Sequence, residues 1–329
     1  MRSIAIIGVF VILIPGFLCA EGEKKPPRVF SVNTELGVIY GTSYEILYDG
    51  SFSDRYLSEL QWNIKPLFFA GLSVEFAPRD ILEQLSFFAG LEIKSGLPME
   101  TGVVEDRDWF PRVPAAPGAL THFSSHENRT KAAFLADLAA GVSFPLGRIT
   151  ALKLSAVFSY MFFKYEAWNG YYQYGSNGDK DTGDDCVPWE PGFARFPLPG
   201  LVMDYTQHWF ILYPAVTLVV RERRVSFSIS VAVSPAVLCV AFDNHFLRHF
   251  LTHEIMYGGI FFEPEARLGF SITDSLVLGI SASYRYIGGT RGNSFYTDTA
   301  SGADTPWMKD VSGAGYRAFQ GKVVFKIGF

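Results

Sequence analysis

Cysteine, clustered positive charge and interdomain linkers are all scarce in this sequence of 329 residues. The 28 lysines and arginines are scattered and the formal net charge is −5, so no basic patch indicates a nucleic-acid partner. The length would allow two soluble domains, yet no linker divides the chain. Only three cysteines are present, and the spacing of Cys186 and Cys239 neither implies nor excludes a disulfide. We therefore expect one domain that does not bind nucleic acid.

The N-terminal residues have the composition of a secretory signal. A basic second residue precedes an apolar run over residues 4–18, and the small Ala20 suits a cleavage site. Residues 1–20 are therefore predicted to be a signal peptide, which leaves 21–329 as the mature domain. Lipidation of Cys19 is the alternative, but the bulky residue before it disfavours a lipoprotein signal.

Long apolar runs are almost absent beyond that leader. The exception, Val225 to Phe242, is uncharged and about as long as a membrane helix. Its apolar residues alternate with serine from Val225 to Val231, which is the period of a strand. Pro235 would also interrupt a helix. We therefore expect this run to be β-structure.

Alternation of side-chain character with period two is the main positive signal. It is nearly strict in Lys322 to Phe329, where Val323, Phe325 and Ile327 share one face. About ten such segments follow the leader, and aromatic residues make up 16% of the chain. Both features are typical of a barrel with a lipid-facing exterior and a polar lumen. The predicted fold is all-β, a ten-stranded antiparallel transmembrane β-barrel, with strands over residues 31–48, 56–77, 82–97, 131–144, 149–167, 205–220, 225–242, 255–271, 276–291 and 316–329.

The predicted connections alternate between short and long. Short periplasmic turns and long extracellular loops are the rule for outer-membrane barrels, so the long connections are expected outside the cell. Charges on the strand before Thr273, at Glu263, Glu265 and Arg267, are expected to point into the lumen. The long connections are predicted over residues 49–55, 98–130, 168–204, 243–254 and 292–315.

Two short polar motifs fall at the starts of long connections. Asp106 and Asp108 stand two residues apart, so an extended backbone would aim both carboxylates to one side. Asp243 and His245 repeat that spacing with an acid and an imidazole. Closure of the barrel would set the pairs across one mouth, where they could hold and deprotonate a water. The alternative is that both motifs are solvated loop charges, because each is short and common.

Fragments along most of the mature chain resemble the omptin family, and the resemblance rests on their order and spacing. They are Ser58-Glu59-Leu60-Gln61-Trp62, Asp106-Arg107-Asp108-Trp109, Pro117-Gly118 before Thr121, Asp243-Asn244-His245, Arg291-Gly292-Asn293-Ser294 and Ser312-Gly313-Ala314-Gly315. The resemblance implies a ten-stranded outer-membrane protease whose active site faces the extracellular side.

The resemblance also implies a mechanism and a substrate preference. His245, oriented by Asp243, would activate a water held against Asp106, which Asp108 supports. Omptins typically cut between basic residues with acidic pocket walls, and Glu45 matches one wall. The pattern's second acid is Ala241 in this chain, and a third acidic position is His122. We expect at least one subsite for a basic residue, with a weakened or displaced preference.

A lipid site is implied in the same way. Tyr160 and Lys164 match part of the family's lipopolysaccharide cluster, although Phe162 replaces an acid. The alternative is that both side chains simply reach the membrane interface. No cofactor is expected, with lipopolysaccharide or another outer-leaflet lipid as a candidate activator. The expected partners are peptide or protein substrates, outer-membrane lipid and the barrel assembly machinery.

Two competing interpretations stay open. His245, His249 and His253 would share one face of a helix, where two of them could bind zinc, although the Glu of H-E-x-x-H is missing. The expectation is nevertheless no metal. A catalytically inactive barrel that serves as an adhesin or host-protein receptor is the functional alternative, and a porin is disfavoured because ten strands leave little lumen.

Overall fold

The computed structural model of the chain describes residues 29–50, 55–77, 85–109, 118–175 and 187–328. The predicted signal peptide and Cys186 lie outside these residues. The described residues form strands, turns and irregular segments without a helix. Accordingly, no helix among them is long and apolar enough to pass through a membrane.

The strands belong to one 15-stranded antiparallel sheet. In chain order they are β1 (Phe30–Tyr48), β2 (Tyr56–Phe76), β3 (Ser86–Gly96), β4 (Met99–Asp108), β5 (His122–Pro145), β6 (Thr150–Tyr174), β7 (Phe196–Pro197), β8 (Leu201–Glu222), β9 (Val225–Ser234), β10 (Val237–His245), β11 (Phe250–Gly258), β12 (Ile260–Ser271), β13 (Leu276–Gly288), β14 (Arg291–Asp298) and β15 (Met308–Gly328).

The sheet closes on itself. Strand β1 pairs with β2 on one side and with β15 on the other, from Ser31 opposite Gly328 to Leu47 opposite Ser312. Strands β3 and β4 both lie between β2 and β5. Strands β9 and β10 both pair with β8, and β13 and β14 both pair with β15. Sequence reasoning correctly predicted an all-β, antiparallel architecture.

Apolar side chains lie on the outside of the closed sheet. In β9 the exposed positions are Val225, Phe227, Ile229, Val231 and Val233, while the serines between them face inward. The uncharged run is therefore β-structure with period two, as predicted, because lipid-facing and lumen-facing positions alternate. It is not one strand, however, since it is interrupted at Pro235 and continues as β10.

Charged side chains fill the interior. Arg285 on β13 contacts Glu263 on β12 at 2.7 Å and Asp137 on β5 at 3.6 Å. Since β5 lies far from β13 in the sheet order, this ion pair crosses the inside of the molecule. Lys322 on β15 contacts Glu35 on β1 at 2.9 Å. The inward direction predicted for Glu263 is thus observed.

The strands extend further than predicted at one end of the sheet. We call the strand ends beyond the exposed Tyr40, Tyr257 and Tyr286 the mouth. There, β4 and β14 occupy residues predicted to be loops, and β11 begins within the predicted loop 243–254. The prediction was wrong at these points because these segments carry polar side chains on both faces, so no apolar alternation marks them.

Candidate active site

The first acidic pair lies on β4 within the mouth. Asp106 stands opposite Leu60 and Ser124, and Asp108 stands opposite Ser58 and His122. The Ser58 hydroxyl donates to Asp106 Oδ1 at 3.3 Å. Both aspartates are on a strand rather than on the predicted loop, and their two-residue spacing turns them to the same face.

Burial and mutual repulsion act on this pair. Burial raises the pKa of Asp106, while the positive charges of Arg248, His245 and His126 oppose the rise. Burial, followed by the charge of Asp106, raises the pKa of Asp108 well above its ordinary value. Two neighbouring carboxylates in one buried site hold a proton more readily than isolated ones. The pair therefore titrates as a unit.

The acid and imidazole pair ends β10. Asp243 is 2% exposed, and its Oδ2 contacts His245 Nε2. The His245 ring stacks on Phe250, with ring centroids 4.4 Å apart. Among the described residues, Asp243 Oδ1 has no hydrogen-bond partner. A buried carboxylate and an aromatic ring therefore fix the imidazole from two sides.

The two pairs lie on opposite sides of the mouth. Strands β5, β6 and β8 separate β4 from β10 in the sheet. Even so, Asp106 and His245 interact electrostatically, and His126 interacts with both. His126 Nε2 lies 3.1 Å from Ser124 Oγ, and burial lowers the pKa of this imidazole. The Asp106–Asp108 pair and the Asp243–His245 pair are therefore close enough to influence each other's charge across the mouth.

A second group of carboxylates lies near Asp243. Glu45 on β1 is 7% exposed and Glu254 on β11 is 3% exposed. The Oε2 atoms of both lack hydrogen-bond partners among the described residues. Burial and repulsion from Asp243 and Glu254 raise the pKa of Glu45 well above its ordinary value. Buried, unpaired carboxylates of this kind attract a cation.

One arginine reaches across the mouth. Arg248 lies in the turn between β10 and β11, and its Nη2 donates to the Tyr174 hydroxyl at the end of β6 at 3.1 Å. The guanidinium also attracts Asp106 and Asp108. Tyr174 packs edge-on against His122, with ring centroids 4.2 Å apart.

The histidines at 245, 249 and 253 do not share a helical face. They lie at the end of β10, in the turn and on β11, and His253 stacks on Phe295 with ring centroids 4.4 Å apart. The alternative of a helical zinc site was therefore wrong. Within the described ranges, no group of three or more His, Cys, Asp or Glu residues is arranged to hold a metal ion.

The predicted lipid-binding residues both contact protein groups on β8. Tyr160 Oη lies 2.9 Å from His208 Nδ1, and Lys164 Nζ lies 3.3 Å from Asp204 Oδ2. Phe162, between them in sequence, packs against the same His208 ring at 5.0 Å. The charge of Lys164 is thus partly neutralised within the protein.

A sequence model of the omptin family matches residues 26–329. The chain belongs to the omptin family. No curated protein matches the sequence.

Solved structures similar to this omptin include the outer membrane protease OmpT from Escherichia coli. Its TM-score is 0.79 at 18% identity, covering 94% of this chain and 99% of OmpT. At this identity the likeness shows an OmpT-like β-barrel fold. The translocator domain of NalP from Neisseria meningitidis has a TM-score of 0.36 at 10% identity, covering 92% and 89% of the two chains. The toluene transporter TodX from P. putida has 0.29 at 10%, covering 93% and 91%. These two are too dissimilar to bear on the fold.

Sequence reasoning missed Glu254 in this omptin. Ala241, where the family resemblance leads one to expect an acid, stands directly opposite Glu254 in the β10–β11 pairing. The carboxylate missing from one strand is therefore present on its neighbour. Pairing His245 with Phe250 across the turn and counting back along both strands would have revealed it. Assigning 243–254 to a loop concealed that register.

Proposed function

We propose that this omptin is an outer-membrane endopeptidase with a water nucleophile. The observation that carries the proposal is the contact of the buried Asp243 with His245, whose imidazole also interacts electrostatically with Asp106. His245 removes a proton from a water held between it and Asp106, and the water oxygen attacks the peptide carbonyl. Asp108 supports the carboxylate of Asp106. Collapse of the tetrahedral intermediate breaks the C–N bond, and His245 returns the proton to the leaving amine.

We further propose that the fifteen strands form a barrel of ten transmembrane strands. Strands β3 and β4 share β2 and β5 as neighbours, β9 and β10 share β8, and β13 and β14 share β15. Strands β11 and β12 follow one another directly, and they pair with β10 and β9, respectively. Joining these four pairs and setting aside the two-residue β7 leaves ten. The long connections then emerge at the mouth, which places the active site on the extracellular side.

The acidic side chains beside Asp243 indicate the class of substrate. Glu45 and Glu254 present unpaired, buried carboxylate oxygens next to Asp243, and Tyr205 interacts electrostatically with both glutamates. An arginine or lysine side chain of a peptide would neutralise this negative charge. Peptides are therefore cut next to a basic residue, with Glu254 replacing the acid absent from position 241.

The acidity of Glu254 makes this preference dependent on pH. Burial, reinforced by the charge of Asp243, raises the pKa of Glu254 to about 8. The carboxyl is neutral below that pH and charged above it. We expect kcat/KM for arginine-containing peptides to rise as the pH increases through about 8, because kcat/KM reports groups of the free enzyme. The Glu254→Gln variant should lack this rise, and an unchanged pH profile in that variant would contradict the assignment.

An outer-leaflet lipid is proposed to contact β6 near Tyr160 and Lys164. A lipid phosphate must compete with Asp204 for the ammonium group of Lys164. We therefore expect Asp204→Asn to increase the stimulation of cleavage by added lipopolysaccharide by a few fold, and Lys164→Ala to abolish it. Activity is measured on refolded protein with and without the lipid. Equal stimulation in both variants would contradict a lipid site at Tyr160 and Lys164.

The direct test of the proposed function is cleavage of a peptide library by refolded protein. Mass spectrometry of the products should show internal peptide bonds cut, with arginine or lysine enriched beside the cut. The folded state is checked by heat-modifiable gel mobility. A folded barrel that cuts no peptide, with or without outer-membrane lipid, would reject the endopeptidase. Folding of the barrel into the outer membrane is expected to involve the barrel assembly machinery.

A further inference from the structure

The acidic side chains of the mouth supply no fixed positive charge for the proposed hydrolysis. Attack by water turns the peptide carbonyl oxygen into an anion. That anion would form near Asp106, Asp108 and Asp243, with Glu45 and Glu254 nearby. Like charges in a poorly solvated site repel strongly, so the transition state requires a fixed positive group or hydrogen-bond donors.

Arg248 is held where such a group is needed. Its turn begins directly after His245, and its backbone N–H donates to the His245 carbonyl at 3.2 Å. The turn is anchored on both flanks, because Phe246 N donates to Val202 O at 3.2 Å and Thr299 N donates to His249 O at 2.8 Å. A short turn with these three bonds keeps Arg248 close to the imidazole.

The side chain of Arg248 extends from this turn across the mouth. Its Nη2 donates to Tyr174, and its guanidinium attracts Asp106 and Asp108 on the far side. Among the described residues, Tyr174 is the only hydrogen-bond partner of the Arg248 guanidinium. A guanidinium has five N–H donors, so most of its donors stay available. The side chain is solvent-exposed, and a peptide in the cleft would cover it.

We propose that Arg248 is a catalytic residue that donates hydrogen bonds to the oxyanion formed when water attacks the peptide carbonyl. The proposal rests on the endopeptidase function proposed above. As the water oxygen bonds to the carbonyl carbon, the C=O electron pair moves to oxygen and the water proton moves to His245. Arg248 neutralises the new negative charge without exchanging a proton, because its pKa is far above the working pH. Tyr174 is a positioning residue that holds the guanidinium over the cleft.

The test compares Arg248→Ala, Arg248→Lys and Tyr174→Phe with the wild type in steady-state cleavage of one peptide without arginine or lysine. Such a peptide removes any effect of Arg248 on a basic substrate side chain. Loss of one oxyanion donor typically lowers kcat by about 10² to 10³ fold. We expect that loss in Arg248→Ala with KM within about threefold, a smaller loss in Arg248→Lys, and about a three- to tenfold loss in Tyr174→Phe.

Chemical rescue separates catalysis from folding. Guanidinium at millimolar concentration should restore part of kcat in Arg248→Ala and leave the wild type unchanged. The matched control is Arg195→Ala, which removes an arginine that packs over Tyr171 with its guanidinium carbon 4.4 Å from the ring centroid. That control should keep wild-type kcat.

Each outcome has a distinct meaning. An Arg248→Ala variant with wild-type kcat, or one whose loss is confined to KM, overturns the proposal while the endopeptidase stands. A loss of kcat that guanidinium does not rescue, together with altered heat-modifiable mobility, indicates a structural role and also overturns it. Failure of the endopeptidase itself appears differently, as a folded wild type that cuts no peptide.

Discussion

His245→Ala is expected to lower kcat by about 10² to 10⁴ fold while the barrel stays folded. The imidazole is the base that removes the proton from water, and alanine leaves no group to replace it. The measurement is steady-state cleavage of a fluorogenic peptide, with folding checked by heat-modifiable gel mobility. Asp106→Asn should give a loss of similar size.

The chain provides a matched control for that loss. His253→Ala removes a second histidine from the same hairpin, on a side chain that stacks on Phe295 rather than facing the active site. This variant should cleave at nearly the wild-type rate. Substantial cleavage by both His245→Ala and Asp106→Asn would reject the catalytic assignment of these residues.

Glu45→Gln combined with Glu254→Gln should remove the preference for basic residues. Losing a buried charge partner typically costs about 2 to 5 kcal/mol, so kcat/KM for peptides with arginine or lysine should fall by about 30 to 5000 fold. Peptides with glutamine or leucine at the same place should be cut as well as before, because the catalytic groups are intact. Matched peptide pairs that differ at one residue give the ratio directly.

Relocating the carboxylate provides the control for this prediction. Ala241 and Glu254 are opposite one another on β10 and β11. In a Glu254→Ala background, Ala241→Asp should therefore recover much of the lost preference for arginine. If the double glutamine variant still prefers arginine by the wild-type ratio, the cation is bound elsewhere. If the relocated acid fails to recover it, the pocket needs the longer side chain of Glu254.

The apolar half of the fold could be predicted from the sequence, whereas the polar half could not. Where lipid contacts the sheet, physical chemistry demands an apolar side chain at every second position, and strands such as β9 show it plainly. Beyond Tyr40 and Tyr257, polar side chains occupy both faces of the sheet, so no apolar period marks the strands. The sequence pattern consequently predicts loops where strands β4 and β14 lie.

The functional residues, too, could be predicted only where a local sequence pattern marks them. Asp106, Asp108, Asp243 and His245 could be proposed because each pair is local in sequence and resembles a family motif. Glu254 and Arg248 belong to no local motif. Glu254 becomes significant because it faces Ala241 across a hairpin. Arg248 becomes significant because it reaches Tyr174 across the mouth. Only the strand register and the folded structure supply that information.

The pairing of β1 with β15 has a consequence for biogenesis. These two strands come from opposite ends of the described chain, so the seam they form is the contact with the greatest separation along the polypeptide. Until β15 pairs with it, β1 carries an open row of unsatisfied amides and carbonyls. Such an edge invites pairing with a neighbouring chain. Shielding of β1 by another protein during this interval would therefore protect the nascent molecule from aggregation.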